Sequence, residues 1–150
     1  MSIQFLPWTI SGLSPNAPGS AVVGNAISGL QEFSKATIEA ELNSATGGAL
    51  NIFIQSSYDG KHVSDSTKQW FDVIAYTQIA AASGPVAKTL ATIIRGITGA
   101  APQALTQGTL AAGTVLQNML GDALRVFAVA AAGTSAGGQQ IVNIAMVRSP

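Results

Sequence analysis

An alternation of apolar and polar residues with a period of two is the feature that most constrains how this chain can fold. Between residues 33 and 43 the even positions from Ala36 to Leu42 are apolar, whereas the odd positions from Lys35 to Glu41 are polar. Positions 50, 52 and 54 are apolar in the same way. Successive side chains of a strand point to opposite faces, so both segments are predicted to be strands with one buried face. The turn signal Thr46-Gly47-Gly48 between them predicts an antiparallel hairpin.

The rest of the chain predicts further short strands separated by Gly- and Pro-containing turns. Residues 1–30 are rich in Gly, Pro and Ser and form either an arm on a partner or the first edge strands, whereas 31–150 form the domain. This pattern predicts an all-β fold, a two-layer antiparallel β-sandwich of about eight strands resembling a jelly roll. For Leu110–Leu120 a helix remains an alternative. The additional strands are predicted at 70–77, 86–95, 114–117, 124–129 and 140–148.

The segment LGDALRVFAVAAAGTSAGG, residues 120–138, contains one acid and one base and is otherwise nearly free of charge. Asp122, Arg125 and Gly133 leave no apolar run long enough to cross a bilayer as a helix. We interpret it as a strand and a loop of small residues. One side of the strand is predicted to face the core and the other to lie near a sister subunit.

Composition narrows the classes of function. Charged residues make up 9% of the chain, with seven basic and seven acidic side chains, against about 25% in a typical soluble domain. Nucleic-acid binding needs clustered Lys and Arg and is not expected. An uncharged surface costs little to desolvate against another protein, which favours stable assembly over a neutral monomer. The chain has no cysteine, and MSIQFLPWTISGL lacks the basic start of a signal peptide.

Few residues suggest catalysis. Glu39 and Glu41 lie roughly 7 Å apart on one face of a predicted strand, a spacing that an inverting glycosidase could use. Glycosidase acids usually come from different elements, so a solvated strand face is the favoured interpretation. His62 is the only histidine and has Ser64, Asp65 and Ser66 nearby, but neighbours within one loop cannot form a rigid triad.

Metal, phosphate and sugar sites are no better supported. The spacing of three aspartates fits no EF-hand, and the glycines of 133–138 lack the lysine of a P-loop. Four aromatic residues could build a sugar-stacking platform, although packing in a core or interface is favoured. We therefore predict no catalytic residue, no metal ligand and no cofactor. The aspartates are Asp59, Asp65 and Asp72, and the aromatic residues are Trp8, Tyr58, Trp70 and Tyr76.

Three stretches resemble small virion proteins of tailed bacteriophages, whose genes commonly lie near that of the major capsid protein. They are ATIEAELNSATGGALNIFIQSSYDG, QWFDVIAYTQ and LGDALRVFAVAAAGTSAGGQQIVNI, which fall within residues 35–145. The shared features are a strand–TGG–strand unit, a segment with the pattern DG…W.D…T, and a GD.LRV strand. The polar insertion 61–69 is longer than that pattern usually has. No functional residue carries over, because the group has no active site.

This resemblance implies a structural protein of the virion that is not an enzyme. The first expectation is a head decoration (cement) protein that forms a homo-oligomer, with a trimer favoured, and clamps neighbouring capsid subunits. Its partners would be the major capsid protein or other virion proteins, without nucleic acid or membrane, and its location the virion, assembled in the host cytoplasm. The alternatives are a tail or neck component and a glycan-binding adhesion module. A hydrolase acting through Glu39 and Glu41 is the least favoured.

Overall fold

A computed structural model describes residues 4–13, 21–44, 49–59, 62–77, 79–80, 87–95, 106–130 and 140–149. These residues form strands, turns and bends without a helix, and every strand pairing is antiparallel. The fold is therefore all-β, as predicted. Its strands are β1 Gln4–Leu13, β2 Ala21–Val23, β3 Ile27–Ser28, β4 Lys35–Ser44, β5 Ala49–Ser57, β6 Phe71–Ala75, β7 Ile79–Ala80, β8 Ala87–Ile94, β9 Thr114–Val115, β10 Ala123–Ala130 and β11 Gln140–Ser149.

The strands belong to two sheets. The first sheet has the order β1-β11-β4-β8, and the second has the order β2-β10-β5-β6-β9, with β3 paired to β10 and β7 paired to β5. The chain changes sheet after β1, β3, β4, β7, β8 and β10. Among the described strands, β5, β6 and β7 are thus the longest consecutive series that stays within one sheet.

The predicted hairpin of residues 33–55 is wrong. β4 pairs with β11 and β8, whereas β5 pairs with β10, β6 and β7, so the two strands lie in different sheets. The connection 45–48 lies outside the described residues. A short Gly-containing segment fixes only that the chain reverses direction, and it permits a crossing between sheets as readily as a hairpin.

A core shared by both sheets shows that the predicted alternation is correct for β4, β5 and β10. Ala36 and Ile38 of β4 are buried against Ile52 and Ile54 of β5 in one apolar cluster. Lys35 is exposed, and Thr37 and Glu39 are partly exposed on the other face of β4. Burial of the apolar face is the main favourable term that holds the layers together. The same cluster contains Ile93 of the first sheet and Leu124, Val126 and Ala128 of the second.

A strand is predicted over residues 70–77, but strict alternation of its side chains between the two faces fails in the middle of β6. The register shifts there, because Ile54 pairs with Ile74 while Gln55 pairs with Asp72. The extra residue, Val73, is a bulge, which turns the side chains on its two sides to opposite faces. Ile74 therefore lies in the core, whereas Asp72 lies on the outer face beside Gln55.

β10, the apolar strand of the segment 120–138, is covered on both faces by its own chain. Its inner residues from Leu124 to Ala128 are buried in the core, and its outer residues Arg125 and Phe127 are partly buried. Arg125 lies over the ring of Trp70, and Phe127 packs against Phe53 and lies where a side chain at Gly108 would be. At these two residues the outer face of β10 is thus covered by other parts of the same chain, and a sister subunit is not needed to explain why this strand is apolar on both faces.

Edge strands complete the two sheets. β1 and β2 are terminal strands, so residues 4–13 and 21–23 are integrated into the fold by pairing with β11 and β10. β8, within the strand predicted at 86–95, is the other edge of the first sheet, and Ile94 is 40% exposed within this chain. Within Leu110–Leu120 the predicted short strand is present as β9, and no helix forms.

The Gln117 side chain protects part of the β8 edge. Its Oε1 accepts from the Ile94 amide at 3.3 Å, and its Nε2 donates to the Thr92 carbonyl at 3.0 Å. The side-chain amide thus occupies backbone groups that another strand could otherwise use. Occupied edge groups reduce uncontrolled pairing with other chains.

Tyr76 links the two sheets through a hydrogen bond, and its removal should be measurable. The Tyr76 hydroxyl donates to the Ile38 carbonyl at 2.8 Å, and burial, together with the Glu39 carboxylate, raises the pKa of this phenol, which therefore stays protonated. Tyr76→Phe leaves a buried carbonyl without this donor and should lower the free energy of unfolding by about 1–2 kcal/mol. Urea unfolding measures the loss. Tyr58→Phe, at a half-exposed ring, is the control and should change stability by less than about 0.5 kcal/mol.

Candidate functional site

The polar segment 62–70, which the sequence singles out, folds onto the second sheet through its own hydrogen bonds. The Ser64 carbonyl accepts from the amides of Thr67 and Lys68 at 3.0 and 3.1 Å. The Lys68 side chain is only 2% exposed; its Nζ pairs with Asp65 at 2.6 Å and contacts the Ser28 hydroxyl at 3.4 Å. The charges of this segment are therefore used to hold it in place.

Trp70 ends this segment and packs over Arg125. Its indole Nε1 donates to the Asp65 carbonyl at 3.0 Å, and the Arg125 guanidinium lies 4.5 Å from the ring centroid. Burial lowers the pKa of Arg125, and the carboxylates of Asp65 and Asp72 oppose that shift. The guanidinium also donates from Nε to Gln55 Oε1 at 2.8 Å. A cation on an aromatic face with a hydrogen-bonded partner stabilises the outer surface of the second sheet.

Asp72 is the centre of the largest buried polar network among the described residues. Its carboxylate is fully buried and accepts from Gln55 Nε2 at 2.9 Å and from Thr106 Oγ1 at 3.1 Å. Three consecutive backbone amides, those of Gly108, Thr109 and Leu110, donate to it at 2.9, 3.1 and 3.3 Å. These charge-assisted bonds tie segment 106–110 across the outer face of the second sheet.

Arg95 fixes a second junction, at the end of the fold where β8 stops. It donates to the carbonyls of Leu30 and Gly121 at 2.8 Å each and to that of Phe33 at 3.1 Å. It also pairs with Asp122 at 3.3 Å. One guanidinium therefore joins the segment before β4 to the segment before β10.

Tyr58 is the most exposed large apolar residue among those described, at 52%. Its ring stacks on Phe71, with centroids 5.5 Å apart. Partial burial raises the pKa of its hydroxyl, Arg95 lowers it, and Asp122 raises it. A single stacked ring presents one face to solvent, which is too little for a sugar platform.

The predicted candidate groups do not converge. Glu39 is partly buried in β4, the side chain of Glu41 lies outside the described residues, and His62 is exposed in segment 62–70. Among the described residues, no group of three or more His, Asp or Glu side chains could hold a metal ion. The three aspartates bind separate partners, because Asp59 accepts from the Gln69 amide and the Ser57 hydroxyl, whereas Asp65 and Asp72 make the bonds described above.

Trp70 and Tyr76 pack in the interior, in agreement with the favoured interpretation for these two residues. Trp70 and Tyr76 are 5% and 4% exposed, and they lie on opposite sides of the second sheet, because Tyr76 reaches Ile38 across the core while Trp70 covers Arg125. The side chain of Trp8 and the glycines of 133–138 lie outside the described residues. Trp70 and Tyr76 are buried and face opposite sides of the sheet, so they cannot form a sugar-stacking platform with Tyr58.

A cavity of about 130 Å³ lies between β6, β8 and β9. The side chains that line it are apolar apart from those of Thr77 and Tyr76, although polar atoms also contribute to its surface, and the Tyr76 hydroxyl is bonded to the Ile38 carbonyl. None of the lining residues supplies a carboxylate or an imidazole that could activate the Thr77 hydroxyl, so the lining does not indicate a reaction. It is lined by Ile74, Ala75, Tyr76, Thr77, Ala91, Gly113 and Val115.

Sequence reasoning misses the roles of Asp72, Arg95 and Lys68. The sequence places Asp72 in a predicted strand and offers it only as a calcium ligand. Four of its five donors, however, come from a Gly- and Thr-rich stretch 34 to 38 positions further along the chain. The only signal is a set of charges in a chain that has very few. Charged residues that serve solubility are exposed and usually numerous. In a chain with so few of them, each charged residue is therefore a candidate for a buried network.

Comparison with protein-family models and with curated proteins finds no match for this chain. No described segment is a helix with the length and apolar character needed to cross a membrane.

Proposed function

We propose that this chain is a structural protein of a tailed-phage virion, with head decoration as its role, built on a jelly-roll sandwich. The observation that carries the proposal is the order of the strands. The main strands form the orders β1-β11-β4-β8 and β2-β10-β5-β6, and the chain alternates between the two sheets. Eight strands in two sheets with this alternation are the arrangement of jelly rolls, which are found in viral capsid proteins, lectins and cupins.

Two further observations favour a structural role over the other uses of such a fold. Lectins need an exposed binding platform, whereas Trp70 and Tyr76 are buried here. The charges of Asp72, Arg95 and Lys68 serve internal bonds that stiffen the connections between strands. A rigid body with few free charges can lie against other protein subunits at little desolvation cost.

The proposal predicts that the chain is present in phage heads at a copy number comparable to that of the shell protein. Particles carrying the chain are purified by density-gradient centrifugation, heads and tails are separated, and mass spectrometry counts the chain against the shell protein. Heads that lack the chain should take up the purified protein to saturation. The chain found only in tails would favour a tail or neck component, and its absence from all particles would overturn the proposal.

Deletion of residues 2–30 is not a clean test of attachment. It removes β1, β2 and β3, which pair with β11 and β10, so the variant would lose folding together with any contact to the shell. Single substitutions at exposed residues separate the two effects better.

A further inference from the structure

One segment of the chain lies along an edge of each sheet. Residues 106–120, which we call the edge strap, contain β9 and end shortly before β10. β9 is the last strand of the second sheet, and β8 is the last strand of the first. The strap also contacts β8, through Gln117 and through a bridge between Met119 and Arg95. It therefore runs along the side of the fold where the described strands of neither sheet continue.

The strap binds the second sheet mainly through its own backbone. Four of its groups bond to the backbone of residues 70–75, and three of the four are backbone amides or carbonyls. The Asp72 carboxylate, which binds three strap amides, holds the same half of the strap. The four bonds join Gln107 Nε2 to the Trp70 carbonyl at 2.7 Å, and the Thr106 carbonyl to the Asp72 amide, the Leu116 amide to the Val73 carbonyl and the Gly113 amide to the Ala75 carbonyl at 2.8 Å each.

The strap binds β8 through an exposed side chain instead. Gln117 accepts from the Ile94 amide at 3.3 Å and donates to the Thr92 carbonyl at 3.0 Å. These backbone groups belong to residues two positions apart, so the side-chain amide makes the pair of bonds that a residue of a parallel strand would make. Asn118, with a φ of +67°, then turns the chain, and the Leu120 amide donates to the Ile94 carbonyl at 3.3 Å. Gln117 thus takes the place of a neighbouring strand.

The part of β8 that Gln117 covers has a sequence that favours strand addition. Residues 89–94 read TLATII, which contains no charge, no Gly and no Pro and has four β-branched residues among six. Segments of this kind pair readily with other strands when they lie at an open edge. The Ile94 side chain is 40% exposed beside the covered groups. Without Gln117, this edge would present free backbone groups and an apolar side chain together.

We propose that the edge strap is an autoinhibitory contact that prevents strand-to-strand association through β8, with the Gln117 side chain as its blocking group. Gln117 already satisfies the Ile94 amide and the Thr92 carbonyl, so a strand of another chain gains these bonds only by displacing it. The proposal goes beyond the proposed function, because it concerns a contact that the fold avoids. Contacts with other proteins must then use surfaces other than this edge.

Gln117→Ala tests the proposal in the full chain. The Ile94 amide loses its acceptor and should exchange its hydrogen about fivefold faster or more. Sedimentation velocity at about 100 μM should show species heavier than those of the wild type, because the open edges of two copies can pair. Gln107→Ala is the matched control, since it also removes an exposed glutamine that donates to a backbone carbonyl. The strap backbone still covers β6 in this control, so its sedimentation profile should match the wild type.

Gln117→Lys separates an open edge from general destabilisation. Lysine cannot accept from the Ile94 amide, so this amide should exchange as fast as in Gln117→Ala. The lysine charge at the edge should nevertheless oppose pairing with another strand, and the sedimentation profile should match the wild type. Unchanged exchange at Ile94 or unchanged sedimentation in Gln117→Ala would overturn the proposal. Equal association of Gln107→Ala or Gln117→Lys would overturn it too, because association would then not depend on an open β8 edge.

Discussion

Replacing Asp72 with alanine should lower the free energy of unfolding by about 3–5 kcal/mol. The carboxylate is fully buried and is the acceptor for Gln55, for Thr106 and for three consecutive backbone amides. Alanine leaves all of these donors without an acceptor in a place that water does not reach. For a chain of this length the loss corresponds to a decrease in melting temperature of roughly 10 °C.

The experiment compares urea unfolding of the wild type, Asp72→Ala and Asp72→Asn. Asparagine keeps the size of the side chain but points an amide group towards backbone amides, so it should recover only part of the loss. Hydrogen exchange at Gly108, Thr109 and Leu110 should accelerate in both variants, since these amides lose their acceptor. Glu32→Gln, at an exposed carboxylate, is the control and should stay within about 0.5 kcal/mol of the wild type. An unchanged urea midpoint for Asp72→Ala would contradict the role assigned to the network.

The sequence predicts the class of fold because burial of one strand face produces an alternation of apolar and polar residues that is visible within a short segment. β4, β5 and β10 each alternate over enough residues for period two to be unmistakable, and their apolar sides are the ones in the core. The choice of partner strand produces no such pattern in the sequence. β4 pairs with β11, whose residues lie about a hundred positions later, and the competition among strands is decided by the whole core.

Local departures from the pattern are also invisible in the sequence. The bulge at Val73 turns Asp72 outwards and Ile74 inwards, although strict alternation puts both on one face. Phe53 and Gln55 are buried on the outer side of β5. Phe53 packs against Phe127, and Gln55 bonds to Asp72 and to Arg125, which lies over Trp70. A strand covered by a distant loop has the same sequence pattern as one covered by another subunit, which is why the sequence predicts a sister subunit on the outer side of β10.

The composition indicates a surface poor in charge but not where the remaining charges lie. Lys68 contacts Ser28, 40 positions away, and Asp72 binds groups 34 to 38 positions further along the chain, so the topology decides where these charges lie. The same reasoning applies to Arg95, whose carbonyl acceptors come from residues 26 to 65 positions away. Long-range pairing of this kind is specified by the fold, and no local window of sequence contains it.

Gly121→Ala should lower the free energy of unfolding by about 3 kcal/mol, although it adds a single methyl group. Gly121 is buried where the chain enters β10: its amide donates to Ser56 Oγ at 2.8 Å, and its carbonyl accepts from Arg95 at 2.8 Å. A Cβ at this position would overlap the Ser57 carbonyl and lie 2.6 Å from Ser56 Oγ. The backbone of Gly121 or of Ser57 must therefore move. This movement strains both the end of β5 and the hydrogen bond between Arg95 and the Gly121 carbonyl.

Gly29→Ala separates this steric effect from backbone conformation. Gly29 has a φ of +82°, but nothing lies within 4 Å of an added Cβ, so only the cost of the left-handed backbone remains, about 1 kcal/mol. Urea unfolding of both variants should thus give a clearly larger loss for Gly121→Ala, at a residue whose φ is not in the left-handed region. Equal losses of unfolding free energy in the two variants would contradict this prediction. They would mean that the backbone of β5 can move at Ser57 without cost, and that the close approach of Gly121 does not make the Arg95 junction rigid.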